Sequence, residues 1–121
     1  MKDFVFSNPV RAVFGSNCLD ELGAFVEGKC TLLVSGAASA KANGSYDAIA
    51  AVLKEHAASH RDYDGIKVCT YDAIRKGTAF AVEHDVECVI GLGGAACMDT
   101  AKAIAFCARH ADDMDAYLTH E

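Results

Sequence analysis

The sequence predicts an α/β fold, an open and mainly parallel sheet with helices on both faces. Three observations predict it. Cys30–Val34 and Val86–Leu92 are near-continuous apolar runs, the pattern of strands buried on both sides. Each run ends in a glycine turn, Ser35-Gly36 and Gly93-Gly94. Segments of helical periodicity separate the strands, and that alternation belongs to parallel sheets.

The elements follow in chain order. Phe4-Val5-Phe6 and Arg11-Ala12-Val13-Phe14 are short apolar runs parted by the turn signal Ser7-Asn8-Pro9, so an N-terminal β-hairpin is expected. Gly15-Ser16-Asn17 ends it and offers helix caps. Leu19, Leu22 and Val26 then recur at helical spacing. After the first buried strand, Asn43-Gly44 precedes a helix expected over 45–60, with Tyr46, Ile49 and Leu53 on its apolar face. Ile66–Cys69 is a weaker strand candidate. A helix over 72–84 carries Ile74, Thr78, Ala81 and Val82 on one side. The second buried strand leads through Gly93-Gly94-Ala95-Ala96 into an alanine-rich helix running to about Arg109. The acidic stretch Asp112-Asp113-Met114-Asp115 reads as a solvated loop.

The 121 residues suit one domain, 1–121, and 52% hydrophobic with 23% charged residues is a globular composition. A net charge of −6 argues against a nucleic-acid or anionic-membrane surface, which needs clustered Lys and Arg. The apolar stretch Cys88–Met98 is too short to span a bilayer, and Met1-Lys2-Asp3-Phe4 opens no secretory signal. None of the six cysteines forms a Cys-x-x-Cys pair, and most lie in apolar runs, which suits reduced thiols in the cytoplasm.

The two glycine turns carry the chemistry. Each sits at the carboxyl end of an expected strand, where helix N-terminal amides can hold a phosphate and small residues let it approach the backbone. The second turn also fits G-x-G-x-x-A at Gly91, Gly93 and Ala96. Small residues there also serve close strand–helix packing, so the turn alone leaves nucleotide binding at even odds. His56 and His60 fall four apart on an expected helix, but with no nearby third ligand they read as a polar face. His110, Asp112, Asp113, Asp115 and His120 read as solvated, and Cys97 as packed rather than activated at a helix start.

Longer stretches narrow the choice. Phe6-Ser7-Asn8-Pro9 through Val13-Phe14-Gly15 is similar to an opening of an aromatic, Asn-Pro-Thr, a short strand and Phe-Gly. Ser35–Asp47 is similar to Gly-Gly-Gly-Ser-x-Lys-x-Asn-Gly-x-Tyr-Asp, and Gly93–Ala105 to Gly-Gly-Gly-Ser-x-x-Asp-x-Ala-Lys-Ala-Ile-Ala. Asp115-Ala116-Tyr117-Leu118 is similar to Trp-Asp-Tyr-Leu. In this order and over nearly the whole chain, the four stretches resemble the iron-containing (group III) alcohol dehydrogenases.

The resemblance implies a Rossmann-like N-terminal domain that binds NAD(P), with the pyrophosphate on the second glycine turn. Gly93, Gly94, Ala95 and Ala96 would line the phosphates, Asp99 would lie close to the cofactor, and Lys102 would be structural. Gly36, Ser39 and Lys41 of the first turn complete the expected site. The first turn holds no acid to repel a 2′-phosphate, so NADP(H) is favoured over NAD(H). The family's divalent metal, iron or zinc, sits in a C-terminal domain that no residues here match. Hence this chain is expected to bind no metal and to hold no catalytic residue. A small alcohol or aldehyde would be acted on only with the missing domain. A stand-alone nucleotide-binding module and a non-functional truncated chain are the alternatives, and a homodimer through the hairpin strands is a possible assembly. The sequence departs from the family pattern in several places. Ala95 and Ala96 replace a glycine and a serine, Ala37 and Ala38 replace glycines, and the proline-rich stretch expected after Ile66 is Lys67-Val68-Cys69-Thr70-Tyr71. A lost hydrogen bond to phosphate at Ala96 costs about 1.5–3 kcal/mol of binding. Any of these alanines needing a positive φ would be strained.

Overall fold

The computed structural model describes residues 2–119. Three strands, β1 (Cys30–Ser35), β2 (Ser59–Tyr63) and β3 (Cys88–Leu92), form one sheet in the order β2-β1-β3, parallel throughout. The helices are α1 (Cys18–Val26), α2 (Ser39–Ala42), α3 (Ser45–His56), α4 (Tyr71–Glu83), α5 (Ala95–Ala108) and α6 (Met114–Thr119).

The central strand β1 explains the two-sided core. Its alternate side chains point to opposite faces, and both faces are covered. Leu32 and Val34 pack with Ala81 of α4 and with Cys97, Ala101 and Ile104 of α5. Leu33 packs on the other face with Val26 of α1 and Leu53 of α3. The continuous apolar run read from the sequence therefore has the cause expected for it. Close packing on β3 depends on Gly91, where an added Cβ would come within 2.9 Å of Ala101 Cβ and 3.0 Å of Met98 Cα. α4 starts at a side-chain cap, Thr70 Oγ1 accepting from Ala73 N–H at 3.1 Å. It ends at Glu83 with His84 as C-cap, and Asp85 follows with a φ of 51°, the left-handed step that aspartate tolerates after a helix.

Four expectations are corrected. The N-terminal β-hairpin is absent among the described residues: 2–14 hold no strand, and Phe4, Val5, Phe6, Val10 and Phe14 are exposed. Two short strands with no third strand or helix to cover them are at best marginal. The helix expected over 45–60 stops at His56. There the His56 carbonyl accepts from Gly28 N–H at 2.9 Å, and Ala58 N–H donates to the Lys29 carbonyl at 3.0 Å. The chain is thereby handed to β1, and Ser59–Tyr63 pairs as β2. The strand expected at Ile66–Cys69 does not form, because Gly65 (φ +79°) turns the chain. Ile66 alone is anchored, its N–H on the Ser35 carbonyl at 3.1 Å and its side chain in the core. The acidic stretch is not a loop: a 3₁₀ turn at Ala111–Asp113 leads into α6. Arg75 of α4 ties α6 down with Nε and Nη2 at 2.9 and 2.7 Å from Asp115 Oδ1, and Tyr117 packs edge-on to Phe106.

Among the described residues no helix is long and apolar enough to cross a membrane.

Candidate functional site

The strand order places the two glycine turns side by side. From β1 the chain reaches β2 on one flank and β3 on the other, so the connections diverge at the carboxyl ends of β1 and β3. Open α/β sheets bind ligands at such a switch point. The first turn, Gly36-Ala37-Ala38, leaves β1 and the second, Gly93-Gly94, leaves β3. Cys97 joins them. Its Sγ lies 3.6 Å from where a Gly36 Cβ would stand and 3.1 Å from where a Gly93 Cβ would stand. The thiol also contacts the Ile66 carbonyl at 3.9 Å. Burial pushes the Cys97 thiol up from its ordinary value, so it is a packed floor between the turns and not an activated nucleophile.

The α5 N-terminus faces outward with its amides free. Gly94 is the N-cap and makes no side-chain cap, and the Cys97 and Met98 N–H groups both turn to the Gly94 carbonyl at 3.1 Å. Among the described residues no protein acceptor meets the N–H groups of Gly93, Gly94, Ala95 or Ala96. These are the unsatisfied donors of a long helix's first turn, at its positive end. Gly93 has φ +136°, a region L side chains avoid, whereas Gly94 has φ −79° with open space around it. The alanines cause no backbone strain. Among the described residues the one non-glycine at positive φ is Asp85, so Ala37, Ala38, Ala95 and Ala96 all occupy conformations open to any residue. Asp99 lies exposed one turn into α5, with Oδ1 3.7 Å from Lys102 Nζ.

Ser39 opens α2 and is exposed, and Lys41 reaches away to Asp64 Oδ2 at 3.2 Å. Asp64 follows the last residue of β2 and was not singled out from the sequence, because β2 has no apolar pattern to mark it as a strand. Two further groups were also missed. The Ser35 hydroxyl is buried at the end of β1 without a hydrogen-bond partner among the described residues. Tyr46 donates its hydroxyl to Asp62.

The Tyr46 phenol is pushed up from 10.0 to about 12, first by the hydrogen bond to Asp62, then by burial and by the charges of Asp62, Asp64 and Asp47. A raised pKa in the fold means the proton is held more tightly there than in the unfolded chain. The contact therefore stabilises fully below pH 10 and is lost as pH rises towards about 12. Urea unfolding across that window is expected to show Tyr46→Phe less stable at pH 9 and converging on the wild type by pH 12, by a small margin because the pair is largely solvated.

His56 and His60 do not share a helix face, since His60 lies in β2 while His56 sits on α3 with Nδ1 2.7 Å from Glu27 Oε2. His120 lies outside the described residues. Among the described residues no three His, Cys, Asp or Glu side chains are grouped to hold a metal ion. A cavity of about 650 Å³ between residues 9–13 and α1 shares no residue with the glycine turns.

Comparison with known proteins decides the family. The family model described as iron-containing alcohol dehydrogenase matches residues 9–121. The chain belongs to the iron-containing alcohol dehydrogenases. This alcohol dehydrogenase chain is 35% identical over 108 residues to the probable NADH-dependent butanol dehydrogenase 2 of Bacillus subtilis, a match covering 87% of the chain and 28% of that relative. It is 29% identical over 121 residues to NADP-dependent alcohol dehydrogenase 3 of Entamoeba histolytica, covering 97% of the chain and 30% of the relative. Among solved structures, the NADH-dependent butanol dehydrogenase A of Thermotoga maritima superposes with a TM-score of 0.72 at 33% identity, over 87% of this chain and 27% of that one. A further iron-containing alcohol dehydrogenase superposes with a TM-score of 0.78 at 31% identity, over 92% and 32%. The chain thus spans a little under a third of the length of these relatives. The names include both NADH and NADP, so the NADP(H) preference read from the first turn finds no support in them.

Proposed function

We propose that this chain is the N-terminal, cofactor-binding domain of an NAD(P)-linked alcohol dehydrogenase that interconverts a small primary alcohol and its aldehyde. The observation that carries the reading is the pair of adjoining glycine turns at the switch point of a parallel sheet, one of them opening a helix whose first amides are free. The residues present fit a dinucleotide. Gly93 and Gly94 would let the diphosphate reach the backbone, and the free N–H groups of Gly93 to Ala96 would donate to it. Gly36 and Ser39 of the neighbouring turn would face the adenosine half, and Asp99 is exposed on α5. Ala96 brings no hydroxyl, so this grip rests on backbone donors alone. The bound nicotinamide supplies the hydride chemistry. This chain's part is to hold and orient the dinucleotide, and it assigns no residue to the alcohol. Among the described residues no side-chain grouping fits the family's metal. A cytoplasmic location suits the reduced thiols.

Calorimetric titration of the 121-residue chain with NADH and NADPH tests the reading. Saturable binding at micromolar to millimolar cofactor is expected, with background reduction of butanal by the chain alone. Absence of binding for both cofactors in the folded protein refutes it.

A further inference from the structure

The two edges of the sheet differ in kind. β2 is one edge, and its Ser-His-Arg-Asp-Tyr is polar, charged and largely exposed, a composition that discourages pairing with another strand. β3 is the other edge, and its Cys-Val-Ile-Gly-Leu carries neither charge nor proline. The register shows which of its backbone groups are free. The Lys29 and Ser35 carbonyls turn towards the β2 side, accepting from Ala58 N–H at 3.0 Å and Ile66 N–H at 3.1 Å. By alternation Leu32 and Val34 bond towards β3. In a parallel ladder the residue directly opposite such a residue turns its own groups away. Val89 lies opposite Leu32 and Gly91 opposite Val34, so both present N–H and C=O outward. No loop or helix backbone among the described residues meets them. Beside this edge, on the α5 side, run two grooves. One of about 340 Å³ lies at the start of β3, between Val82, Val86 and Ala108, and one of about 320 Å³ lies at its end, between Gly91 and Met98. Val89 and Ala105 line both, so the apolar surface is continuous along the strand.

We propose that this 121-residue chain pairs with a second copy of itself along β3, the two strands lying antiparallel and joining the two three-stranded sheets into one. The edge is complementary to itself. With a two-fold axis at Ile90, Val89 stands opposite Gly91 of the second copy, and the two residues with free groups exchange both hydrogen bonds. The larger side chain meets the position that has none, and Ile90 meets Ile90 of the second copy on the other face. An axis perpendicular to the sheet places both α5 helices on one face. They meet along Met98, Lys102, Ala105 and Arg109, a stripe at helical spacing that lines the two grooves. Charge favours the same antiparallel arrangement. Asp85 and Glu87 outnumber Arg109 at the groove by the start of β3, while Lys102 rims the groove at its end. Antiparallel pairing brings the acidic end of one copy to the basic end of the other. The pairing is independent of the cofactor reading.

Sedimentation velocity and residue-resolved amide exchange on the 121-residue chain, over a range of concentrations, test the pairing. A reversible dimer is expected, with a dissociation constant of about 1–100 μM. The Val89 and Gly91 amides are expected to gain protection as concentration rises. The Ile90 and Leu92 amides, bonded to β1, are expected to be protected at every concentration. Ala105→Glu is the decisive variant. Ala105 is exposed on α5, so the change spares the core, and glutamate suits a helix. It sets two like charges close together across the axis, so the dissociation constant is expected to rise by at least about a hundredfold. Unchanged protection of Ile90 and Leu92 shows that the variant is folded. A monomer at all concentrations, protection of Val89 and Gly91 that does not depend on concentration, or a dimer untouched by Ala105→Glu overturns the proposal. So does a dimer broken instead by Phe4→Ser with Phe6→Ser, which places the contact on the exposed N-terminal segment.

Discussion

Gly93→Ala is expected to cut cofactor affinity by about ten- to a hundredfold and to lower stability by about 1–3 kcal/mol. Both effects come from one backbone angle. At φ +136° an L side chain is strained, and the new Cβ would stand 3.1 Å from Cys97 Sγ, the floor shared by the two turns. Relief of that strain rotates the turn and moves the amides that face the diphosphate. Gly94→Ala separates the two effects. Gly94 has an ordinary φ of −79° and nothing within 4 Å of the added Cβ, so the fold loses no more than the cost of a poorer N-cap, about 1 kcal/mol. The same Cβ projects where phosphate would approach, so affinity is still expected to fall by about tenfold. Calorimetry and thermal unfolding on the two variants check this. If Gly94→Ala binds cofactor as the wild type does, the α5 N-terminus is not the diphosphate site.

The largest expected loss of stability is that of Ile104→Ala, about 2–5 kcal/mol in urea unfolding. Ile104 is completely buried on α5 and packs against Leu32, Val34 and Ala81. It also fills the space left by the missing side chain of Gly77 on α4. A Cβ at Gly77 would overlap Ile104 Cδ1 and come within 2.8 Å of Tyr63 Cε1. Gly77→Ala is therefore expected to destabilise by about 1–2 kcal/mol even though alanine is the better helix former. Ile104→Val removes the overlapping methyl and alone costs about 1 kcal/mol. Combined with Gly77→Ala it is expected to cost less than the sum of the two, because one change makes room for the other. Strict additivity would show that α4 and α5 do not meet at this point.

These two sites differ in how far they were legible beforehand. Gly93 and Gly94 stand out in the sequence because they interrupt an apolar strand and open a helical pattern, and their neighbours resemble a family motif. Gly77 inside a helical pattern only lowers helix propensity, and nothing local shows that it faces an isoleucine 27 positions on. The same contrast separates β1 from β2. Cys30–Val34 declares itself by an unbroken apolar run, while Ser-His-Arg-Asp-Tyr has no strand pattern and is largely exposed. What makes it a strand is the ladder offered by β1 and the capture of the end of α3 by Gly28 and Lys29. The reverse holds for Phe4–Phe14, whose runs look like strands but find no partner to complete a sheet among the described residues.

Asp64 shows why the partner of Lys41 stayed hidden. It meets Lys41 because it follows the last residue of β2, and β2 exists only through pairing. Ser39 and Lys41 were found on their own turn, but the carboxylate opposite Lys41 arrives from 23 residues away and offsets the positive charge read from the turn alone.

The sequence by itself determined the α/β class, the buried central strand β1, the apolar strand β3 that the structure leaves half-buried at the sheet edge, the four principal helices and the two glycine turns. Each of these is written in local periodicity and in residues with special backbone freedom. Only the tertiary structure decided where α3 ends, which polar segment becomes the third strand, and which carboxylate meets Lys41. Those outcomes depend on hydrogen-bond partners and charges brought together across the chain, and a short window of residues carries no record of them.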